Sequence, residues 1–357
     1  MTAWDVTILI MTESLMNDKE AYREICLSEH RAVIPVFSRM WWMDAVCGEE
    51  NWRVWIDRTG GRLNAVMPYY IEKRGDYTYI TKALLTQNNG IIFFYPDGQK
   101  SCGRYEFEER VISRAVNHIE SLGLDVYEQQ YHYGFHNWVP FYWRNFTQIL
   151  RYTFVIEDTS DLDKVLSDFS TNYRNKYKKG CKNATVEYGT ISAEEFYTEH
   201  EKIFLKQGLP CPFTLPFWKR LYKACTDNDA GQMLLARGND GNIHAVMFLI
   251  WDDMAVYQLL GGAIPEYSSS EAYSTLVYEG IKIAGQKGLS YDFEGSVIKR
   301  INRSMREFGC IQKPYFRIRK VFNPEIVRAE AERYIATVGN ERTGIERGFY
   351  WRTGERI

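Results

Sequence analysis

Two acidic side chains, Asp292 and Glu294, flank Phe293 in the stretch "YDFEGS" (Tyr291–Ser296). As the end of a strand, this alternation puts both carboxylates on one side of the chain. A like-charged neighbour and partial burial raise the pKa of one such carboxyl towards the range of a general base. The C-terminal end of a strand in an open α/β sheet is also where ligands commonly sit. A carboxyl so tuned can take a proton from an attacking nucleophile. The structural alternative is that Glu294 caps the following helix or pairs with Lys299 or Arg300.

Other chemistry-bearing residues cluster at two further places. "NYRNKYKKGCKN" (Asn172–Asn183) carries Arg174, Lys176, Lys178, Lys179 and Lys182, the densest positive run in the chain. Such a run suits phosphates of a nucleotide-linked precursor, coenzyme A or RNA, or else forms a solvated face. "YEQQYHYGFHNW" (Tyr127–Trp138) offers Gln129, Gln130, His132 and His136 as polar or acid–base groups just after a strand. His244 lies among apolar residues and reads as a core histidine. The seven cysteines form no CxxC pair and no cluster at zinc spacing, so neither a disulfide framework nor a metal site is expected. No Gly-x-Ser-x-Gly elbow, Walker loop or dinucleotide fingerprint is present.

The elements that must position these groups recur along the chain. "VFSRMWW" (Val36–Trp42) matches "PFTLPFW" (Pro212–Trp218), and "GGRLNAVMPYYI" (Gly60–Ile71) matches "DGNIHAVMFLIW" (Asp240–Trp251) through a shared Ala-Val-Met. "SLGLDVYEQQ" (Ser121–Gln130) then matches "QKGLSYDFEG" (Gln286–Gly295). Three matches in one order indicate a duplicated module. Each copy reads as a Trp-bearing helix, then a strand ("NWRVWID" or "QMLLAR") turning at a Gly-rich stretch into the next strand. A third strand follows ("YTYITKALL" or "MAVYQLLGG"), then an amphipathic helix and a further strand. In the second copy that helix is stopped by Gly288, and a helix and the strand "PYFRIRK" come after it. The fold class is mixed α/β. Expected boundaries are an N-terminal helical extension over residues 1–34, a first domain over 35–148, a second over 149–322 and a C-terminal helical tail over 323–357. The tail is read as helical through Pro324–Val338, with about a dozen frayed residues at its end.

With 357 residues, 45% hydrophobic and 25% charged, the composition is that of a globular protein too long for one typical core. A formal net charge of -2 supplies no overall field for DNA or anionic membrane. The early apolar run "VTILIM" (Val6–Met11) is far short of the ~20 residues of a membrane span and lacks a basic flank, so neither a span nor a secretory signal is expected.

The ordered set of elements resembles the GNAT acyltransferase superfamily, and within it the Fem-type (methicillin-resistance factor) and acetyltransferase-like branch with tandem GNAT-like domains. The resemblance rests on "NYRNKYKKGCKNATVE", on "YDFEGSVIKRINRSMREFGCIQKPYFRIRK" and on the junction "HNWVPFYWRNFTQILRYTFVIED", and covers Pro35 to Lys320. It implies transfer of an acyl group, acetyl above all, from acyl-CoA to an amine or hydroxyl of a cell-envelope sugar, lipid or peptide precursor in a bacterial cytoplasm. The alternatives that it implies are a Fem-type peptidyltransferase that takes aminoacyl-tRNA, or a degenerate pair that only binds. In GNAT folds two strands splay apart and admit the pantetheine arm, and the next helix receives the pyrophosphate on its N-terminus. Here Leu259, Leu260, Gly261 and Gly262 would line the arm, and Ser268, Ser269, Ser270 and Tyr273 would meet the phosphates or, for the serines, cap the helix. Arg174, Lys176, Lys178, Lys179, Gln130 and His132 would hold the substrate, with Glu294 and Asp292 as catalytic groups. The usual Arg/Gln-x-x-Gly-x-Gly/Ala loop is absent, and Pro265 and Glu266 stand in its neighbourhood.

Overall fold

Hairpin turns at the two Gly-rich stretches set the register of each half. In the computed structural model, which describes residues 18–339, β1 (Trp52–Thr59) turns at Gly60 and Gly61 into β2 (Arg62–Arg74). Both glycines sit at positive φ, where a side chain would strain the turn. β3 (Tyr77–Thr81), β4 (Ile92–Phe93), β5 (Val126–Gln130) and β6 (Thr147–Ile156) complete the first half. The second half holds β7 (Ala184–Tyr188), β8 (Gly231–Gly238), β9 (Ile243–Trp251), β10 (Ala255–Ala263), β11 (Ser290–Asp292) and β12 (Ile311–Val321). The apolar run Val6–Met11 and the last dozen residues lie outside the described range.

All twelve strands belong to one sheet, in the order β1-β2-β3-β5-β12-β6-β11-β10-β9-β8-β7, with β4 paired to β2. The duplication is visible in the pairing. The β1–β2 hairpin has an irregularity after Asp57, and the β8–β9 hairpin has one after Ala236. In both, the residue passed over (Asn64 or His244) directly precedes the shared Ala-Val-Met. The crossover pairs agree as well: β3 and β5 run parallel through Tyr79↔Val126 and Ile80↔Tyr127, while β10 and β11 run parallel through Val256↔Tyr291 and Tyr257↔Asp292. The two halves interlock, because β12 lies between β5 and β6 and is antiparallel to both.

Strands with both faces buried read as continuous apolar runs. Along β9, Val246, Phe248 and Ile250 face a core shared by the two halves, where Trp42 and Trp218 are fully buried. The alternate residues Met247 and Leu249 face a second core beneath the helix Ala272–Lys287. A third core packs the helix Ser101–Ser121 on the same side of the first half. The basic helix Thr171–Asn183 presents Tyr173, Tyr177 and Gly180 inward; Gly180 meets the first turn of Ala272–Lys287, and Tyr177 lies 4.6 Å from Tyr278.

Two strand expectations are corrected. "YTYITKALL" ends at Thr81, because the chain leaves the sheet and Leu85 takes positive φ. "LSYDFEG" ends at Asp292, because Glu294 and Gly295 both take positive φ and Phe293 N–H donates to the Phe154 carbonyl instead of continuing beside β10. Asp292 and Glu294 therefore do not alternate on one strand.

Candidate active site

Beyond Tyr257↔Asp292, β10 runs on to Ala263 with no strand on its β11 side. The sheet opens there. Gly295 fixes the divergence: its backbone lies so close to the Tyr152 carbonyl that a Cβ would stand 2.1 Å from that oxygen. The equivalent opening in the first half is plugged by its own chain. Asn89 N–H donates to the Gln130 carbonyl at 2.9 Å, and Gln130 Nε2 donates to the Gln87 carbonyl at 2.7 Å.

On the side of the shared core, a cleft of about 580 Å³ spans both halves. Its second-half wall is Leu259 with Glu294 to Ile298, and its first-half wall is Tyr70 and the loop Lys82–Gln87. Gln130, Arg151 and Tyr315 form its floor.

Asp292 is fully buried behind Glu294. Its Oδ1 accepts the Thr153 hydroxyl and the Glu294 N–H (2.8 Å), and its Oδ2 has no partner. Burial pushes the Asp292 carboxyl up to about 6, against the pull of those hydrogen bonds and of Lys313. Glu294 is held well above the ordinary carboxylate range, first by burial and then by the charge of Asp292, with Lys82 opposing. Its Oε1 is shielded from solvent and unpartnered. Glu294 caps nothing: the helix Lys299–Met305 begins after Ile298 without a side-chain cap, and no ion pair joins Glu294 to Lys299 or Arg300. The carboxyl faces the cleft, and burial beside Asp292 raises its affinity for a proton.

The other expected site residues separate into groups. Leu259 and Gln130 line the cleft beside Glu294. Leu260 is buried in the shared core, and Gly262 lies against Ile203. Gly261 lies under the Tyr273 ring, whose hydroxyl accepts from Gln258 Nε2 at 2.9 Å. Ser268 donates to the Pro265 carbonyl, Ser270 Oγ accepts the Ala272 N–H, and Ser269 is exposed. These local bonds close the turn Pro265–Ser270. Arg174 donates to the Ser167 carbonyl and Thr171, and Lys176 pairs with Glu307 at 3.7 Å, while Lys178 and Lys179 are exposed; none of the four reaches the cleft. His132 is half-buried, and loss of solvent around its ring holds it neutral by lowering its pKa to about 4. His244 is bound to Asp240 and stacked on Tyr267, as a core histidine is. Lys82, Gln87, Arg151 and Tyr315 were not among the site residues read from the sequence, since only long-range folding brings them to the cleft. Among the described residues no group of three potential ligands could hold a metal ion, and no helix is long and apolar enough to cross a membrane.

Residues 167–297, which contain the opened strand pair, match the model of the acetyltransferase (GNAT) domain. That segment is similar to a GNAT acetyltransferase domain. The fold of the chain is that of FemX, with 13% identity, 81% of this chain and 93% of that chain covered, and a TM-score of 0.61. A conserved protein of unknown function from Bacteroides thetaiotaomicron VPI-5482 shares it too, with 10% identity, 85% and 97% coverage and a TM-score of 0.53. No curated protein matches the sequence. The mixed sheet with two GNAT-like halves is therefore the arrangement expected from the sequence.

Proposed function

We propose that this acyltransferase moves an acyl group, acetyl above all, from acyl-CoA to an amine or hydroxyl of a cell-envelope precursor in a bacterial cytoplasm. The units 35–148 and 149–322 then divide the work. The thioester arm lies where β10 and β11 part, and the acceptor enters between Glu294 and the loop Lys82–Gln87. Glu294 takes the acceptor's proton as the acyl–sulfur bond breaks, the proton then goes to the departing coenzyme A thiolate, and buried Asp292 behind Glu294 keeps its proton affinity high. One observation carries this reading: a half-buried carboxyl with a shielded, unpartnered Oε1 faces a two-sided cleft at the point where the sheet opens.

A second reading, aminoacyl-tRNA as donor, is favoured by the start of the helix Ala272–Lys287. Its first turn is backed by Gly180, and its Ala272 N–H is taken by Ser270, so less of that terminus is open to a pyrophosphate. Labelled acetyl-CoA and labelled aminoacyl-tRNA, each offered with a panel of amine and hydroxyl precursors, separate the two. Loss of a proton acceptor costs about a hundredfold or more in rate, so Glu294→Gln is expected to lower kcat that far while donor binding persists. Turnover only with aminoacyl-tRNA selects the second reading. A Glu294→Gln enzyme of full rate removes Glu294 as base.

A further inference from the structure

We propose that the segment Val297–Arg306 docks on an anionic lipid bilayer and sets the mouth of the cleft against the membrane. The docking goes beyond the acyl-transfer reading and does not depend on it. Val297 and Ile298 line the cleft rim, and the helix Lys299–Met305 begins at once behind them. Along this segment the side chain that turns into the core is Met305, beside Phe308. Val297, Ile298 and Ile301 are left 41%, 38% and 36% exposed, and Leu84 across the mouth is 40% exposed.

Cations interleave with these aliphatic groups. Lys299, Arg300, Arg303 and Arg306 are exposed, and among the described residues none has an ionic or hydrogen-bonded side-chain partner. The nearest acid along the chain, Glu307, is engaged with Lys176 and Asn172. Elsewhere the chain's surface cations are commonly paired, as in Lys219–Glu194 and Lys223–Asp227.

Exposed aliphatic side chains beside uncompensated Lys and Arg are the composition of an interfacial segment. The apolar groups enter the headgroup boundary, and the long cationic stems lie along it towards the lipid phosphates. A nucleic acid would use the cations but gain nothing from Val297, Ile298 and Ile301, so the pattern favours lipid. Docking of this kind is peripheral and reversible. It brings the Glu294 cleft to acceptors carried in the bilayer.

Co-sedimentation of the full chain with vesicles of phosphatidylcholine, with and without phosphatidylglycerol, tests this directly. Binding is expected only with phosphatidylglycerol and should weaken as salt rises. Each cation near such a surface contributes about fivefold to partitioning, so Arg300→Gln with Arg303→Gln should weaken binding about 25-fold. Ile298→Ser with Ile301→Ser should also weaken vesicle binding, yet leave any retention of tRNA unchanged. Circular dichroism of each variant checks that it is folded. No binding to anionic vesicles, or wild-type binding by the serine variant, overturns the proposal. Capture of tRNA with vesicles ignored assigns the cations to nucleic acid instead.

Discussion

Replacing Asp292 by Asn should make the protein more stable at pH 8 while impairing its chemistry. The carboxyl is fully buried, and its ordinary value of 3.8 is raised to about 6 in the folded chain. At about 1.4 kcal/mol per unit, that rise corresponds to about 3 kcal/mol of stability lost once the group ionises. Because the folded carboxyl keeps its proton to a higher pH than the unfolded one, this component is whole below about pH 4 and lost as pH rises through about 6. Asn retains an oxygen for the Thr153 hydroxyl and the Glu294 N–H, but its new amide hydrogens replace Oδ2, which has no donor or acceptor beside it. Leaving them unpaired costs about 1 kcal/mol, for a net gain of about 2 kcal/mol at pH 8 and a loss of about 1 kcal/mol at pH 4. Urea denaturation of wild type and variant across that range reads the difference, in which titrating groups other than the coupled Glu294 cancel. The gap should change by about 3 kcal/mol between the two ends. A constant gap would show that the carboxyl is not desolvated, and the proton-affinity reasoning for Glu294 would lose its support.

His200, stacked on Phe196 and Phe213, is held neutral by burial, which lowers its pKa to about 4. Its contribution to stability is present above about 6.5 and lost as pH falls towards 4, so His200→Phe should remove up to about 3 kcal/mol of acid sensitivity in denaturation at pH 4 to 7; an unchanged slope would show that His200 is solvated. At Gly180 an added Cβ would meet the Glu271 carbonyl at 2.5 Å and Thr275 Cγ2 at 2.8 Å. Gly180→Ala should therefore cost about 1–3 kcal/mol and lower Tm, and a neutral result would mean that the two helices do not pack at that contact.

Much of the framework was legible because local chemistry set it. Gly60 and Gly61, together with the stretch around Gly241, announced both hairpins, and the Ala-Val-Met repeat located equivalent positions that the two strand irregularities share. Gly288 ended its helix as read, in the left-handed conformation. What was not legible depends on partners far along the chain. The place of β12 between β5 and β6 joins residues more than a hundred positions apart. The end of β11 is decided by Gly295 against Tyr152, which no pattern in "YDFEGS" reveals. Lys82–Leu85 read as the end of a strand and belong instead to a cleft wall. Density of charge or hydroxyls does not show the bonds these residues hold: Ser268, Ser270 and Arg174 bond to near neighbours in the chain, and Lys176 pairs with the distant Glu307.

The central claim, that an acyl donor is presented at Glu294, is tested most directly by placing a trap there. Glu294→Cys treated with bromoacetyl-CoA should form a thioether at position 294, located by peptide mass mapping and suppressed by excess coenzyme A. Modification confined to the native cysteines, or labelling at 294 that excess coenzyme A leaves untouched, would contradict it.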